Sequence, residues 1–192
     1  MATWITTQEL DTELEALQSA GELTSVVAKC GKQQWSYPAL LLAIASRETW
    51  MTNICGDPMT PYGHGKGMWQ IDNRSHLGWL ESVPGVRSGT FGPVVPNTHA
   101  ADVGMVPTLA DGVSQAILIL EGNWNGAVAS GVPAQELARV MVSAYNAGLG
   151  GALSGYHQTG NPDAYTTGGN YAEDVFQRET LVHAYLKAHK LV

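Results

Sequence analysis

Apolar residues along this chain recur mostly at helical intervals. Thr6 and Glu9 stand three apart, the spacing of a capping box, and Leu10, Leu14 and Leu17 then follow on one face until Gly21. The pattern predicts a first helix over residues 7–20 and a shorter one over 22–30, ending at Gly31. A third helix opens with Ser36 as its cap and Pro38 in its first turn. The run from Pro38 to Ala45 is apolar around its whole circumference, which marks a central helix covered on all sides. Leu41, Ile44, Ala45 and Glu48 fall at i, i+3, i+4 and i+7, so the Glu48 carboxylate extends a stripe of core residues. A carboxylate in that position calls for a chemical reason.

Residues 56–67 are rich in glycine and proline and read as a loop, after which Met68 to Asp72 alternates like a short strand. Trp69 and Ile71 are expected to face the core, with Met68, Gln70 and Asp72 on the opposite face. The stretch 82–107 lacks periodicity and is longer than an ordinary connection, consistent either with a substrate-side flap or with an elaborated surface loop. Three more helices are predicted, over 108–122, 133–147 (closed by Gly148) and 171–188, with the glycine-rich stretch 148–169 linking the last two. No repeat is present. The fold class is therefore mostly α (α+β): helices with a small hairpin or sheet between them.

A chain of 192 residues fits one compact domain, with residues 1–35 forming a helical segment packed on the same body as 36–192. Hydrophobic residues at 44% and charged residues at 14% place it among folded globular chains. Ten Lys plus Arg against 17 Asp plus Glu give a net charge of −7, which repels a phosphate backbone and argues against nucleic acid as partner. The longest apolar run, Pro38 to Ala45, is far short of the roughly 20 residues of a membrane-spanning helix. The N-terminus lacks the basic start and apolar core of a secretory signal, so synthesis in the cytoplasm without a leader is expected.

Cys30 and Cys55 match neither a CxxC pair nor a zinc ligand set, and a pair of buried thiols and a single bridge both remain open. The six histidines show no HxxxH spacing, so no metal and no cofactor are expected. Neither Ser46 nor Ser143 has a GxSxG context, and the glycines around Lys66 lack phosphate-loop spacing.

Glycosidic cleavage suits this set of carboxylates. It needs a neutral acid to protonate the leaving oxygen and usually a second carboxylate to activate water. A glutamate withdrawn from water favours its protonated form, and Glu48 has that placement. Asp57, in the glycine-rich loop, and Asp72, at the end of the strand, have the polar surroundings of a base.

Four segments sharpen this reading: Ala-Ile-Ala-Ser-Arg-Glu-Thr (43–49), Tyr-Gly-His-Gly-Lys-Gly-Met-Trp-Gln-Ile-Asp-Asn-Arg-Ser-His (62–76), Ser-Ala-Tyr-Asn-Ala-Gly (143–148) and Asn-Tyr-Ala-Glu-Asp-Val (170–175). In order, they resemble signature segments of the goose-type lysozymes. The resemblance implies the lysozyme-like fold shared with soluble lytic transglycosylases, and cleavage of the β-1,4 bond between N-acetylmuramic acid and N-acetylglucosamine in peptidoglycan. It assigns Glu48 as general acid, with Asp72 and, across local gaps, Asp57 as the aspartates that place the hydrolytic water. It puts Tyr145 and Asn146 along the cleft and Tyr171 near the acid, as candidate substrate contacts whose aromatic faces and amide suit acetamido sugars. Gln70, beside Asp72, and His76, at the end of the second segment, join them as candidate substrate contacts.

The resemblance is loose over 1–35, finds no counterpart for 82–107, and meets Met68-Trp69 where Leu-Met is usual. A lytic transglycosylase giving anhydro products and a chitin-cleaving relative are the alternatives, and Glu48 argues against a glycan-binding module without activity. A wall hydrolase made without a leader suits a monomeric phage endolysin released at lysis, or a contact-delivered toxin.

Overall fold

The computed structural model describes residues 4–54, 65–72, 75 and 107–192. Those residues are mostly helical, with one small antiparallel sheet, as the sequence pattern predicts. In chain order they form α1 (Thr7–Ser19), α2 (Glu22–Lys29), a 3₁₀ turn (Gln34–Ser36), α3 (Pro38–Thr49), β1 (Gly65–Lys66), β2 (Ile71–Asp72), α4 (Leu109–Ala129), α5 (Leu137–Thr159), two further 3₁₀ turns (Pro162–Tyr165 and Thr167–Gly169) and α6 (Tyr171–Ala188). The stretch 82–106 lies outside the described residues. No described helix is long and apolar enough to cross a membrane.

The capping box forms as expected. The Thr6 amide donates to Glu9 Oε2 at 2.8 Å and the Glu9 amide to Thr6 Oγ1 at 3.2 Å. Bonds to Glu9 from the Thr6 amide and then its hydroxyl hold the Glu9 carboxyl below the usual carboxylate range. A second Thr-x-x-acid pair opens α4, where the Asp111 amide donates to Thr108 Oγ1 at 3.2 Å.

Helix α3 is covered as completely as its composition demands, with every residue from Ala39 to Ser46 at most 1% exposed. Full burial of each leucine stabilises by about 1.5–3 kcal/mol, so Leu40, Leu41 and Leu42 make this helix a main source of stability. Its start corrects the expected cap. The residue before a proline is driven to extended backbone, so the flanking position falls to Tyr37 (φ −71°, ψ 134°), while Ser36 Oγ turns back to the Gln33 carbonyl at 3.2 Å.

The chain divides into two compact units, each discontinuous in sequence: Met1–Leu10, Gly31–Ala43 and Ile117–Val192 form the first, and Asp11–Cys30 and Ile44–Ala116 the second. The N-terminal 35 residues are thus shared between the two. In the first unit, Ala127, Val132, Leu137, Val140, Ala144 and Ala152 form a buried cluster bordered by Trp124 and Leu149. Trp35 tilts against Trp124 with ring centroids 5.4 Å apart. In the second, α2 buries Leu23 and Val26, and Met68, Trp69 and Ile71 are each 1% exposed. Cys30 is a thiol that donates to the Val26 carbonyl at 3.2 Å, and burial pushes its pKa up to about 12. Cys55 lies outside the described residues.

Helical structure runs further than predicted in two places. Helix α4 continues to Ala129 rather than ending near residue 122, because Trp124 and Ala127 carry its apolar face into the cluster. Helix α5 breaks at Gly148 (φ 70°, ψ 158°), where the pattern closes it, but helical turns follow at once to Thr159, so the stretch from 148 is not a loop; Leu149, Ala152, Leu153 and Tyr156 hold those turns on the same cluster.

Candidate active site

Glu48 sits in the last turn of α3, half-buried, between the fully buried Ser46 and the 1%-exposed Thr49. The backbone reverses immediately after this helix. Trp50 (φ 51°) and Met51 (φ 54°) are both left-handed, and their amides close on the Ser46 carbonyl at 3.1 Å and the Ala45 carbonyl at 3.2 Å. This satisfies carbonyls that a helix end leaves unpaired.

The reversal leads to a short hairpin in which Gly65 pairs with Asp72 and Lys66 with Ile71. Side-chain and backbone bonds fasten this hairpin to the end of α3 and the segment after it. The Thr49 hydroxyl, which also lies 3.1 Å from the Ala45 carbonyl, donates to the Met68 carbonyl at 2.9 Å. Asn53 accepts the Met68 amide on Oδ1 at 3.1 Å and donates from Nδ2 to the Pro107 carbonyl at 3.1 Å. The Gly67 amide donates to the Ile54 carbonyl at 2.7 Å. Gly67 has φ 76°, and a Cβ there would stand 2.9 Å from Pro107 Cγ, so only glycine fits this turn.

The turn corrects the expected strand. Residues 67–70 do not alternate: Met68 and Trp69 are both buried, because Gln70 is left-handed (φ 46°) and its amide closes on the Gly67 carbonyl at 3.1 Å. Met68 therefore faces inward, contrary to the period-two reading. Alternation holds only over 70–72, where half-buried Gln70 and Asp72 flank the buried Ile71. Gln70 Nε2 donates to the Gly67 carbonyl at 3.1 Å.

Glu48, Gln70 and Asp72 thus belong to one unit, on two elements joined through Thr49 and Asn53. Tyr145, Asn146 and Tyr171 belong to the other. There Tyr145 is half-buried and Asn146 exposed, with Asn146 Oδ1 committed to the Thr167 amide at 2.8 Å. Tyr171 begins α6 and is 1% exposed. Asp57 and His76 lie outside the described residues.

Sequence reasoning missed the residue that organises the α5–α6 connection. Asp163, fully buried, accepts the Ser143 hydroxyl at 2.7 Å and the Ala172 amide at 3.0 Å. Its own amide donates to Asn161 Oδ1 at 3.1 Å, and Asn161 also receives Arg139 Nη2 at 2.9 Å. The available signal was Asn161-Pro162-Asp163, whose first residue is suited to bonding the backbone two positions on.

Chemically, the second unit offers a half-buried carboxyl from a rigid helix and a second carboxylate from a strand fastened to it, which are the parts of acid and base catalysis. Among the described residues, no three His, Cys, Asp or Glu side chains are grouped to hold a metal ion. No protein-family model and no curated protein sequence matches the chain.

Proposed function

We propose that this protein is a peptidoglycan glycoside hydrolase in which Glu48 is the general acid. The observation that carries the reading is the junction of α3 with the hairpin: Glu48 is half-buried at the end of a fully covered helix, and the Thr49 hydroxyl bonds the turn that leads into Asp72. In the reaction, Glu48 gives its proton to the glycosidic oxygen between N-acetylmuramic acid and N-acetylglucosamine as the bond to the anomeric carbon breaks. Asp72 takes a proton from the water that attacks that carbon from the opposite face. Such a displacement inverts the anomeric centre and needs carboxyl groups roughly 6.5–9.5 Å apart, leaving room for the water. Gln70, on the Asp72 face, is suited to an acetamido or hydroxyl group of the sugar. By resemblance, Asp57 shares the task of placing the water, and His76 adds a glycan contact. The protein acts on the wall after release from the cell that makes it.

The test is mass spectrometry of fragments released from purified peptidoglycan. The native chain is expected to give reducing-end products, and Glu48→Gln to lower their rate by about a thousandfold. Anhydro-sugar products would replace hydrolysis with transglycosylation. Equal rates from the two proteins would remove Glu48 from the mechanism.

A further inference from the structure

Trp50 stands out beside the proposed acid. At 62% exposure it is the most exposed large hydrophobic side chain among the described residues. It is also one of four described non-glycine residues with left-handed backbone, a conformation that disfavours bulky L side chains. The other three have local reasons for it or lie far along the chain. Met51 is 5% exposed, so burial offsets its strain; Gln70 closes the hairpin turn through its amide and side chain; Lys190 follows the last helix.

Trp50 gains no such burial. Glycine in its place would end α3 with less strain, since the left-handed position after a helix is one that glycine fills without cost. Strained backbone of this kind clusters at active sites and ligand clamps, which makes an exposed indole here a candidate ligand contact.

The backbone at this position is firmly held. The Trp50 amide is bonded to Ser46 and its carbonyl accepts the Thr52 hydroxyl at 3.4 Å. Two residues of chain span at most about 7 Å, which keeps the Trp50 backbone close to that of Glu48. An exposed aromatic face beside a glycosidase acid matches the apolar face of a pyranose ring.

We propose that Trp50 is a stacking platform for an N-acetylhexosamine ring, a glycan subsite next to the bond that Glu48 cleaves. The inference rests on the hydrolase reading for the direction of the strand, and the two can fail separately.

The experiment titrates the N-acetylglucosamine tetramer into the Glu48→Gln protein by calorimetry, alone and with Trp50→Gly or Trp50→Phe added. Peptidoglycan cleavage is measured in parallel with Glu48 intact. Trp50→Gly is expected to bind the tetramer about tenfold more weakly and to raise KM with kcat within about twofold, while Trp50→Phe recovers most of the affinity. Trp50→Gly should also melt at a higher temperature than the native chain, which separates lost binding from lost folding. An earlier melt would refute the strain argument and the proposal with it. A native chain that cleaves peptidoglycan, with affinity and KM untouched by Trp50→Gly, overturns the platform and leaves the hydrolase standing. Trp50-dependent binding without any cleavage does the reverse. Absence of both binding and cleavage removes both.

Discussion

The junction of α3 with the hairpin and the connection of α5 with α6 are both irregular, polar stretches, yet they treat their polar groups in opposite ways. In the α5–α6 connection the side chains turn inward. Asp163 is fully buried and gathers Ser143 and the Ala172 amide, Asn161 gathers Arg139, and Asn146 bonds the Thr167 amide. In the α3–hairpin junction, Thr49 and Asn53 bond mainly backbone, and Glu48, Gln70, Asp72 and Trp50 are left partly or largely exposed. One region uses its polarity to hold shape. The other holds shape with Thr49, Asn53 and Gln70 and keeps Glu48, Asp72 and Trp50 within reach of solvent, with left-handed backbone as the cost.

The sharpest way to break this contrast is Asp163→Ala. It strips acceptors from the Ser143 hydroxyl and the Ala172 amide, both buried, and should destabilise the protein by about 3 kcal/mol in urea unfolding. A loss below about 1 kcal/mol would mean that the connection is no more self-satisfied than the junction. Thr49→Val is next. It keeps the side-chain shape but removes the donor to the Met68 carbonyl, with an expected loss of about 1–2 kcal/mol in stability. Because that bond ties the helix of Glu48 to the hairpin of Asp72, kcat on peptidoglycan should also fall at least about tenfold. An unaltered kcat would show that Thr49 contributes to the fold alone.

The smallest effect tests whether the first unit is satisfied throughout. Glu179 on α6 is half-buried, and burial raises its carboxyl above the usual range. The folded state then binds the proton more tightly than the unfolded chain, so ionised Glu179 opposes folding at neutral pH and that opposition fades as pH falls. Glu179→Gln should raise the urea midpoint slightly at pH 7 and leave it unchanged near pH 3.5, below the ordinary glutamate value of about 4.3. A lowered midpoint at pH 7 would show that the carboxylate has a stabilising partner.

Where the sequence was readable, one periodicity governed. Helix α3 is apolar on every face and is covered on every face, and the Thr6–Glu9 box needs only local geometry. Met68 was misplaced because two left-handed turns, at Gly67 and Gln70, cancel the strand period within four residues. Gly148 does interrupt the helix, but helical turns follow at once because Leu149, Ala152 and Leu153 still reach the cluster. Of the candidate site, Glu48 and Asp72 could be set on a helix end and a strand from the pattern alone, because each lies on a periodic segment, whereas Gln70 falls in the turn before the strand. Asp163 is harder to read for the opposite reason: Asn161-Pro162-Asp163 marks a turn, but its partners come from α5 and α6 and no spacing announces them.

Gly67 has a consequence for how such a sequence can diversify. Its φ of 76° and the 2.9 Å approach of Pro107 bar side chains by conformation and by space together, whereas the neighbouring Gly65 is crowded by space alone, with Gln70 Cβ 2.9 Å from where a Cβ would stand. In a saturation library of this hairpin, selection for folded clones should therefore leave residue 67 monomorphic, while residue 65 varies only together with residue 70. Any change in the turn has to come at positions 68–70 or at Pro107, never at the pivot itself.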